Sequence, residues 1–163
     1  MKKYILIFMF FAIVVNWDIL SGYIGLSSNQ YTIGHYTDDK WYKGHSGYSE
    51  AMKVSDKNET PALIYMRTDW CKYCKKFESE ILTNYEVNDH LKKFVKVKIN
   101  PDKSKQNKKL YEKLSGKGFP TLMFQYGEEG KLARVRAPYT RNASGWKLMT
   151  TNEFIAMLNK YGS

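Results

Sequence analysis

The fold of this chain is decided by the stretch Asp69-Trp70-Cys71-Lys72-Tyr73-Cys74-Lys75-Lys76. It follows a short apolar run, residues 62–66, of the kind found in a buried strand. After it, Phe77, Ile81 and Leu82 form an apolar stripe at helical spacing. The two cysteines are therefore predicted to lie where a buried strand turns into a helix.

The position of the cysteine pair suits thiol chemistry. At a helix N-terminus the unpaired backbone N–H groups and the macrodipole favour an anion, which lowers the pKa of a cysteine such as Cys71. Lys72, Lys75 and Lys76 add positive potential. Cys74 lies one turn further on, faces the same side and can attack a mixed disulfide on Cys71. We predict Cys71 as the nucleophile, Cys74 as the resolving thiol, and a redox-active disulfide between them.

Two other roles compete for this pair. A structural disulfide between residues this close closes a minimal loop, so it restrains the unfolded chain little. A zinc site needs two further ligands, and His35, His45 and His90 have no paired spacing. We therefore expect no metal and no cofactor.

The rest of the chain alternates between helix and strand patterns. The strand patterns are residues 62–66, residues 94–99, and a hairpin formed by residues 120–126 and 131–136. The helix patterns are residues 48–55, a helix from Cys71, residues 104–114, and a last helix with a capping box of Thr150 and Glu153. Residues between the hairpin and the last helix are predicted to be irregular. This order predicts an α/β fold with a central mixed β-sheet and helices on both faces.

Two motifs together resemble those of the thioredoxin family: Trp70-Cys71-x-x-Cys74-Lys75 and, later, Gly118-Phe119-Pro120-Thr121. The resemblance runs from about Ser49 to Tyr161, and within the family it is strongest to exported domains such as the C-terminal domain of the transmembrane disulfide reductase. It implies a thioredoxin-like fold and a thiol-disulfide oxidoreductase. The expected partners are protein disulfides and dithiols, and the expected direction is reduction, fed by a membrane electron donor.

The resemblance also implies a substrate-binding surface around the cysteine pair. Phe119-Pro120 is expected to be a cis peptide bond against the cysteines, with its backbone offering hydrogen bonds to an extended substrate. Trp70, Tyr73 and Phe119 are expected to form an apolar collar that docks partner side chains. Plain packing of Trp70 against the hairpin explains the same residue equally well.

Two departures from the family pattern concern proton transfer and redox potential. The family often buries an Asp six residues before the first cysteine, but this chain has Tyr65 there. Lys96 matches a lysine that lies beside that Asp, and proton transfer is left to Asp69, Lys96 or water. The dipeptide Lys72-Tyr73 matches neither the common reducing nor the common oxidising members of the family.

The N-terminus predicts export. Lys2 and Lys3 precede an uninterrupted apolar run, residues 4–15, which has the length of a signal-peptide core and is short for a membrane span. We assign residues 1–22 to a signal peptide or N-terminal anchor, residues 23–47 to a linker with a strand near residues 31–35, and residues 48–163 to the thioredoxin-like domain. The domain is expected in the periplasm or another extracytoplasmic space, soluble after cleavage or tethered by the anchor.

The net charge of +10 comes with a cluster of ten lysines between Lys92 and Lys117. Such a surface suits anionic lipid or an acidic protein partner, and a plain solvated face explains it as well. No aromatic-interleaved basic motif is present, so nucleic acid is not an expected partner. The hypothesis from a different class is a thioredoxin-fold binding or chaperone-like module with a static disulfide.

Overall fold

The computed structural model describes residues 37–135 and 138–162. The predicted signal segment, residues 1–22, lies outside these ranges, as do His35 and the strand expected near residues 31–35. Across the described ranges, no helix combines the length and the apolar character that crossing a membrane requires.

Seven strands and five α-helices make up the described part of the chain. The strands are β1 (Trp41–Lys43), β2 (Ala62–Met66), β3 (Val95–Ile99), β4 (Thr121–Gln125), β5 (Ala133–Arg134), β6 (Tyr139–Asn142) and β7 (Gly145–Leu148). The helices are α1 (Gly44–Asn58), α2 (Lys72–Phe77), α3 (Tyr85–Leu91), α4 (Lys105–Lys113) and α5 (Thr151–Tyr161). A π-helical segment, Glu78–Leu82, continues α2, and a 3-10 turn, Pro101–Lys103, precedes α4.

Five of the strands form one mixed sheet in the order β1-β3-β2-β4-β5. β1 and β2 run parallel to β3, whereas β4 runs antiparallel to both β2 and β5. All residues of β2 are buried, which suits a central strand covered on both faces. The predicted α/β fold with a central mixed sheet is confirmed.

Two apolar cores cover the two faces of this sheet. On one face, Leu63 and Tyr65 of β2 pack in a cluster with residues of α2, α3 and α5. On the other face, Ala62, Ile64 and Met66 pack with residues of α1 and α4. Successive side chains of a strand point to opposite faces, so one buried strand supplies both cores. Helices therefore lie on both faces, as the sequence predicts.

The sheet begins earlier in the chain than the sequence predicts. β1 pairs with β3, and α1 begins at Gly44 rather than near Tyr48. Residues 41–47, which the sequence assigns to the linker, therefore contribute to the sheet and to α1. Gly44 has φ of +67°, which glycine adopts without strain, and a Cβ there would lie 2.8 Å from Asn107 Oδ1. A strand of three residues is too short to show an alternating pattern.

The C-terminal part of the domain contains two hairpins. β4 and β5 form the predicted one, although β5 is shorter than expected. β6 and β7 form a second, separate two-stranded sheet within the stretch that the sequence predicts to be irregular. α5 begins with the predicted capping box, in which Thr150 and Glu153 bind each other's backbone N–H groups.

Candidate active site

The cysteine pair lies just beyond the C-terminal end of the central strand. β2 ends at Met66, and a turn closed by a hydrogen bond from the Cys71 N–H to the Thr68 carbonyl, at 3.3 Å, leads into α2. Cys71 is the N-cap of α2, because its Sγ accepts a hydrogen bond from the Cys74 N–H at 3.1 Å. The predicted position between a buried strand and a helix is confirmed.

Cys71 and Cys74 form a disulfide, with 5.2 Å between their Cα atoms. Cys71 is 4% exposed, whereas Cys74 is fully buried. An attacking thiolate must reach the sulfur with which it reacts. The difference in exposure therefore favours Cys71 as the cysteine that meets a partner.

Trp70 precedes the pair and stands at the surface with 70% of its area exposed. Its indole N–H donates to Asp102 Oδ2 at 2.9 Å, and its ring meets Phe119 edge-on with 5.8 Å between ring centres. Asp102 lies in the 3-10 turn after β3, and no sequence motif indicated it. Together these contacts hold a large apolar surface next to Cys71, which is what docking of a partner side chain requires.

Phe119 and Pro120 lie directly before β4, and the peptide bond between them is cis, as the resemblance implies. The next residue, Thr121, pairs with Met66 at the end of β2. Since Met66 leads into the turn before Cys71, the Phe119-Pro120 segment lies at the same edge of the sheet as the cysteine pair.

Tyr73 lies between the cysteines and contacts the second hairpin. Its ring meets the Tyr139 ring edge-on at 5.0 Å, and its carbonyl accepts a hydrogen bond from the Tyr139 hydroxyl at 2.9 Å. Among the described residues, no ring contact joins Tyr73 to Trp70 or Phe119. The three aromatic residues therefore form two separate contacts and not one continuous collar. Trp70 packs with Phe119, and Tyr73 packs with Tyr139, which the sequence analysis did not identify.

Tyr65 occupies the position where the family often has an Asp. It is fully buried on the same core face as Cys74, and its ring meets the rings of Trp41 and Phe77. Burial raises the pKa of its hydroxyl far above the ordinary value for tyrosine. Tyr65 therefore stays protonated near neutral pH and cannot act as a base for a thiol.

The lysine beside Tyr65 is Lys98. The expectation that Lys96 lies beside this position is therefore wrong. The parallel register pairs Tyr65 with Lys98 and Leu63 with Lys96. The Lys98 ammonium lies 5.6 Å from the centre of the Tyr65 ring. The sequence did not show which of the two lysines lies opposite Tyr65, because Lys96 and Lys98 both alternate with apolar residues along β3.

Lys96 itself is directed away from the cysteine pair. It is buried, and its ammonium donates to the backbone carbonyls of Asp38 and Leu91. Burial lowers the pKa of Lys96. Leu91 precedes β3, whereas Cys71 follows the other end of the parallel strand β2. Lys96 is therefore held near the opposite edge of the sheet and is no candidate for proton transfer.

Glu78 is the carboxylate that the structure places near Tyr65. Its two oxygens bind Arg67 at 3.2 Å and Lys98 at 3.3 Å, and the side chain is 26% exposed. The backbone N–H of Glu78 donates to the Cys74 carbonyl, so the two residues are one turn apart. Sequence reasoning missed Glu78, although its spacing from Cys74 indicates a shared helix face.

Asp69 is exposed and already paired. Its carboxylate binds Lys103 at 2.7 Å and also Arg67. The hydrogen bond from Lys103 lowers the pKa of Asp69 below its usual value. These ion pairs hold the carboxylate towards the turn after β3.

Metal-ligating side chains do not converge in the described ranges. Residues 37–135 and 138–162 contain no group of three or more His, Cys, Asp or Glu side chains that could hold a metal ion. His45 lies in the first turn of α1, where its backbone N–H donates to Asn107 Oδ1. The His90 ring contacts the Glu86 carbonyl at 2.9 Å. That the protein works without a metal stays a prediction.

The fold and the cysteine pair define a known class. The sequence profile of the thioredoxin-like domain matches residues 48–142, which is more than half of the chain. The chain therefore belongs to the thioredoxin-like family.

Similar proteins include the thiol:disulfide interchange protein DsbD of Pasteurella multocida, which is 28% identical over 118 residues, or 69% of this chain and 20% of DsbD. The disulfide bond reductase DsbH of Chlamydia pneumoniae is 31% identical over 98 residues, or 54% of this chain and 59% of DsbH. The oxidised C-terminal domain of Neisseria meningitidis DsbD superposes with a TM-score of 0.56 at 16% identity, covering 75% of this chain and 99% of that domain. The chain thus matches about a fifth of the DsbD sequence, and the structural likeness shows the fold.

Proposed function

We propose that this chain is an exported oxidoreductase that reduces disulfides of protein partners through Cys71 and Cys74. The observation that carries the proposal is the disulfide at the start of α2, in which Cys71 keeps 4% of its surface exposed and Cys74 is fully buried. The similarity to a disulfide bond reductase, DsbH, supports the reducing direction.

In the reducing direction, both cysteines begin as thiols. The Cys71 thiolate attacks one sulfur of a partner disulfide, which forms a mixed disulfide and releases the other partner sulfur as a thiolate. Cys74 then loses its proton and attacks the Cys71 sulfur. This step releases the second partner thiolate and forms the Cys71–Cys74 disulfide. Two electrons pass to the partner, and its two thiolates take up protons.

Partner recognition is proposed for the side chains around Cys71. The exposed Trp70, held by Asp102 and packed on Phe119, offers an apolar surface for a partner segment. The backbone of Phe119 and Pro120 is proposed to offer hydrogen bonds to an extended partner segment, to which Pro120 contributes only its carbonyl because it has no N–H. Tyr73 is proposed to contact the partner from the other side of the pair, where Tyr139 holds its carbonyl.

Each turnover leaves the chain oxidised, so a second dithiol must reduce it again. We propose a membrane electron donor in this role and a periplasmic or other extracytoplasmic location. The apolar residues 4–15 behind two lysines support export, either with cleavage of residues 1–22 or with their retention as an anchor.

Reduction of insulin by the full chain, with dithiothreitol as the electron source, tests the proposal. We expect the wild-type chain to accelerate the appearance of turbidity and Cys71→Ser to abolish the acceleration. A wild-type rate no faster than that of Cys71→Ser, in two folded proteins, would support the alternative of a binding module with a static disulfide.

A further inference from the structure

A cavity of about 570 Å³ opens at the carboxyl ends of the three parallel strands. Lys43 ends β1, Arg67 follows β2 and Asn100 follows β3, and all three line the cavity. The first turns of α1 and α4 complete the wall. Open α/β sheets bind ligands in crevices at this edge.

The charge of the cavity wall favours an anion. Four cationic side chains line it: Lys43, Arg67, Lys98 and Lys103. Three of them pair with only two carboxylates, those of Asp69 and Glu78. Lys43 has no ion-pair partner among the described residues. α1 has no acidic residue in its first turn and no side-chain N-cap, so the positive end of its dipole is not neutralised by its own residues. An anion entering the cavity therefore meets a net positive wall.

Two buried donors in this wall lack a hydrogen-bond acceptor. Asn100 is 8% exposed, and its Oδ1 accepts a hydrogen bond from the Asp102 N–H at 3.0 Å. The Nδ2 of Asn100 and the Nε of Arg67 are both buried and have no partner among the described residues. A buried donor without an acceptor costs free energy, and such groups in folded proteins are normally satisfied by protein, water or ligand. The residues that carry these donors, Arg67 and Asn100, follow two neighbouring strands, and both residues line the cavity.

We propose that this cavity binds an oxyanion, either a free phosphate or the carboxylate of a protein partner. Asn100 and Arg67 would supply hydrogen bonds, and Lys43 would supply charge at the mouth. Arg67 also lies in the segment that leads to Cys71, so a partner carboxylate bound here would be held beside the cysteine pair. The inference goes beyond the proposed function, because binding of an oxyanion requires no disulfide exchange.

Titration of the oxidised, isotope-labelled full chain with inorganic phosphate, at constant ionic strength set with chloride, tests the site by nuclear magnetic resonance. We expect saturable shifts of the backbone amides in residues 43–46 and 100–107. Lys43→Gln should weaken binding about fivefold, which is the factor that one exposed charge about 4 Å away contributes. Lys53→Gln, in the helix that follows Lys43 but outside the cavity wall, is the matched control and should bind like the wild type. Asn100→Asp replaces the unpaired donor by a negative charge and should abolish binding.

A second arm distinguishes the two sources of the oxyanion. A short peptide with two Glu residues is titrated in place of phosphate, and its Gln counterpart serves as the neutral control. Binding of phosphate alone assigns the site to a free anion, whereas binding of the Glu peptide and not the Gln peptide assigns it to a partner carboxylate. The absence of saturable shifts in both arms, or equal weakening by Lys43→Gln and Lys53→Gln, overturns the proposal and leaves a cavity that holds only water.

Discussion

Replacing Glu78 with Gln tests the charged cluster beside the cysteine pair. The carboxylate binds Arg67 at 3.2 Å and Lys98 at 3.3 Å, and these partners are 15% and 31% exposed. A hydrogen bond to a charged group contributes about 1.5–3 kcal/mol when it is buried, and partial exposure moves the value towards the lower end. We therefore expect Glu78→Gln to lower the free energy of unfolding by about 2 kcal/mol.

Glu80→Gln is the matched control in the same π-helical segment. Glu80 is 54% exposed and pairs with Lys76 at 3.8 Å. An exposed pair of this kind contributes little, so we expect a change within about 0.5 kcal/mol. Urea unfolding followed by circular dichroism measures both variants. Equal losses of stability would show that the contacts of Glu78 with Arg67 and Lys98 contribute no more than a surface ion pair.

The same pair of variants tests proton transfer. Tyr65 stays protonated and Lys96 is held elsewhere, so we expect Glu78, one turn from Cys74, to accept the proton of Cys74 in the resolving step. Glu78→Gln should then slow disulfide exchange at pH 7 by about 100-fold. The loss should shrink as pH rises, because the thiol then ionises without a base. Stopped-flow kinetics of a model disulfide against pH measures this, and identical pH profiles for Glu78→Gln and Glu80→Gln would leave proton transfer to water.

Cys74→Ser should trap partners as mixed disulfides on Cys71, visible on non-reducing gels of cell extracts; trapping by Cys71→Ser instead would reverse the two roles. Thiolate absorbance against pH on these variants should show Cys71 titrating below a free cysteine and Cys74 not; equal, unshifted titrations would contradict the assignment. Tyr139→Phe removes the hydroxyl that binds the Tyr73 carbonyl at 2.9 Å, and should cost about 1 kcal/mol in urea unfolding. Burial also raises the pKa of Tyr139 to about 12. Between pH of about 10 and 12, the hydroxyl of Tyr139 is therefore protonated in the folded chain and ionised in the unfolded chain. The free energy of unfolding therefore falls as pH rises through this window, and it should fall less for Tyr139→Phe than for the wild type. If the two proteins lost the same stability between these pH values, Tyr139 would not be the cause. Thr150→Ala should cost about 1 kcal/mol in urea unfolding through loss of the capping box, and an unchanged midpoint would show that α5 does not depend on it.

The features that could be predicted from the sequence are local ones. The cysteine motif, the apolar run that forms β2, the alternation that forms β3 and the capping box of α5 each depend on residues a few positions apart. Hydrogen bonding along a helix and side-chain alternation along a strand act over that same range. For this reason the predicted helices and strands, the position of Cys71 and the first hairpin are present in the structure, whereas β1, β6 and β7 were not predicted.

The features that only the tertiary structure decided depend on pairing between distant segments. β1 is a strand because it pairs with β3, and its own three residues show no strand pattern. Parallel register places Lys98, and not Lys96, beside Tyr65, and a register shifted by two residues would have placed Lys96 there instead. Glu78 forms its two ion pairs because β2 and β3 bring Arg67 and Lys98 to its carboxylate. The contact of Tyr73 with Tyr139 likewise joins residues 66 positions apart. Contacts of this kind arise from packing of whole elements, so no window of the sequence contains them.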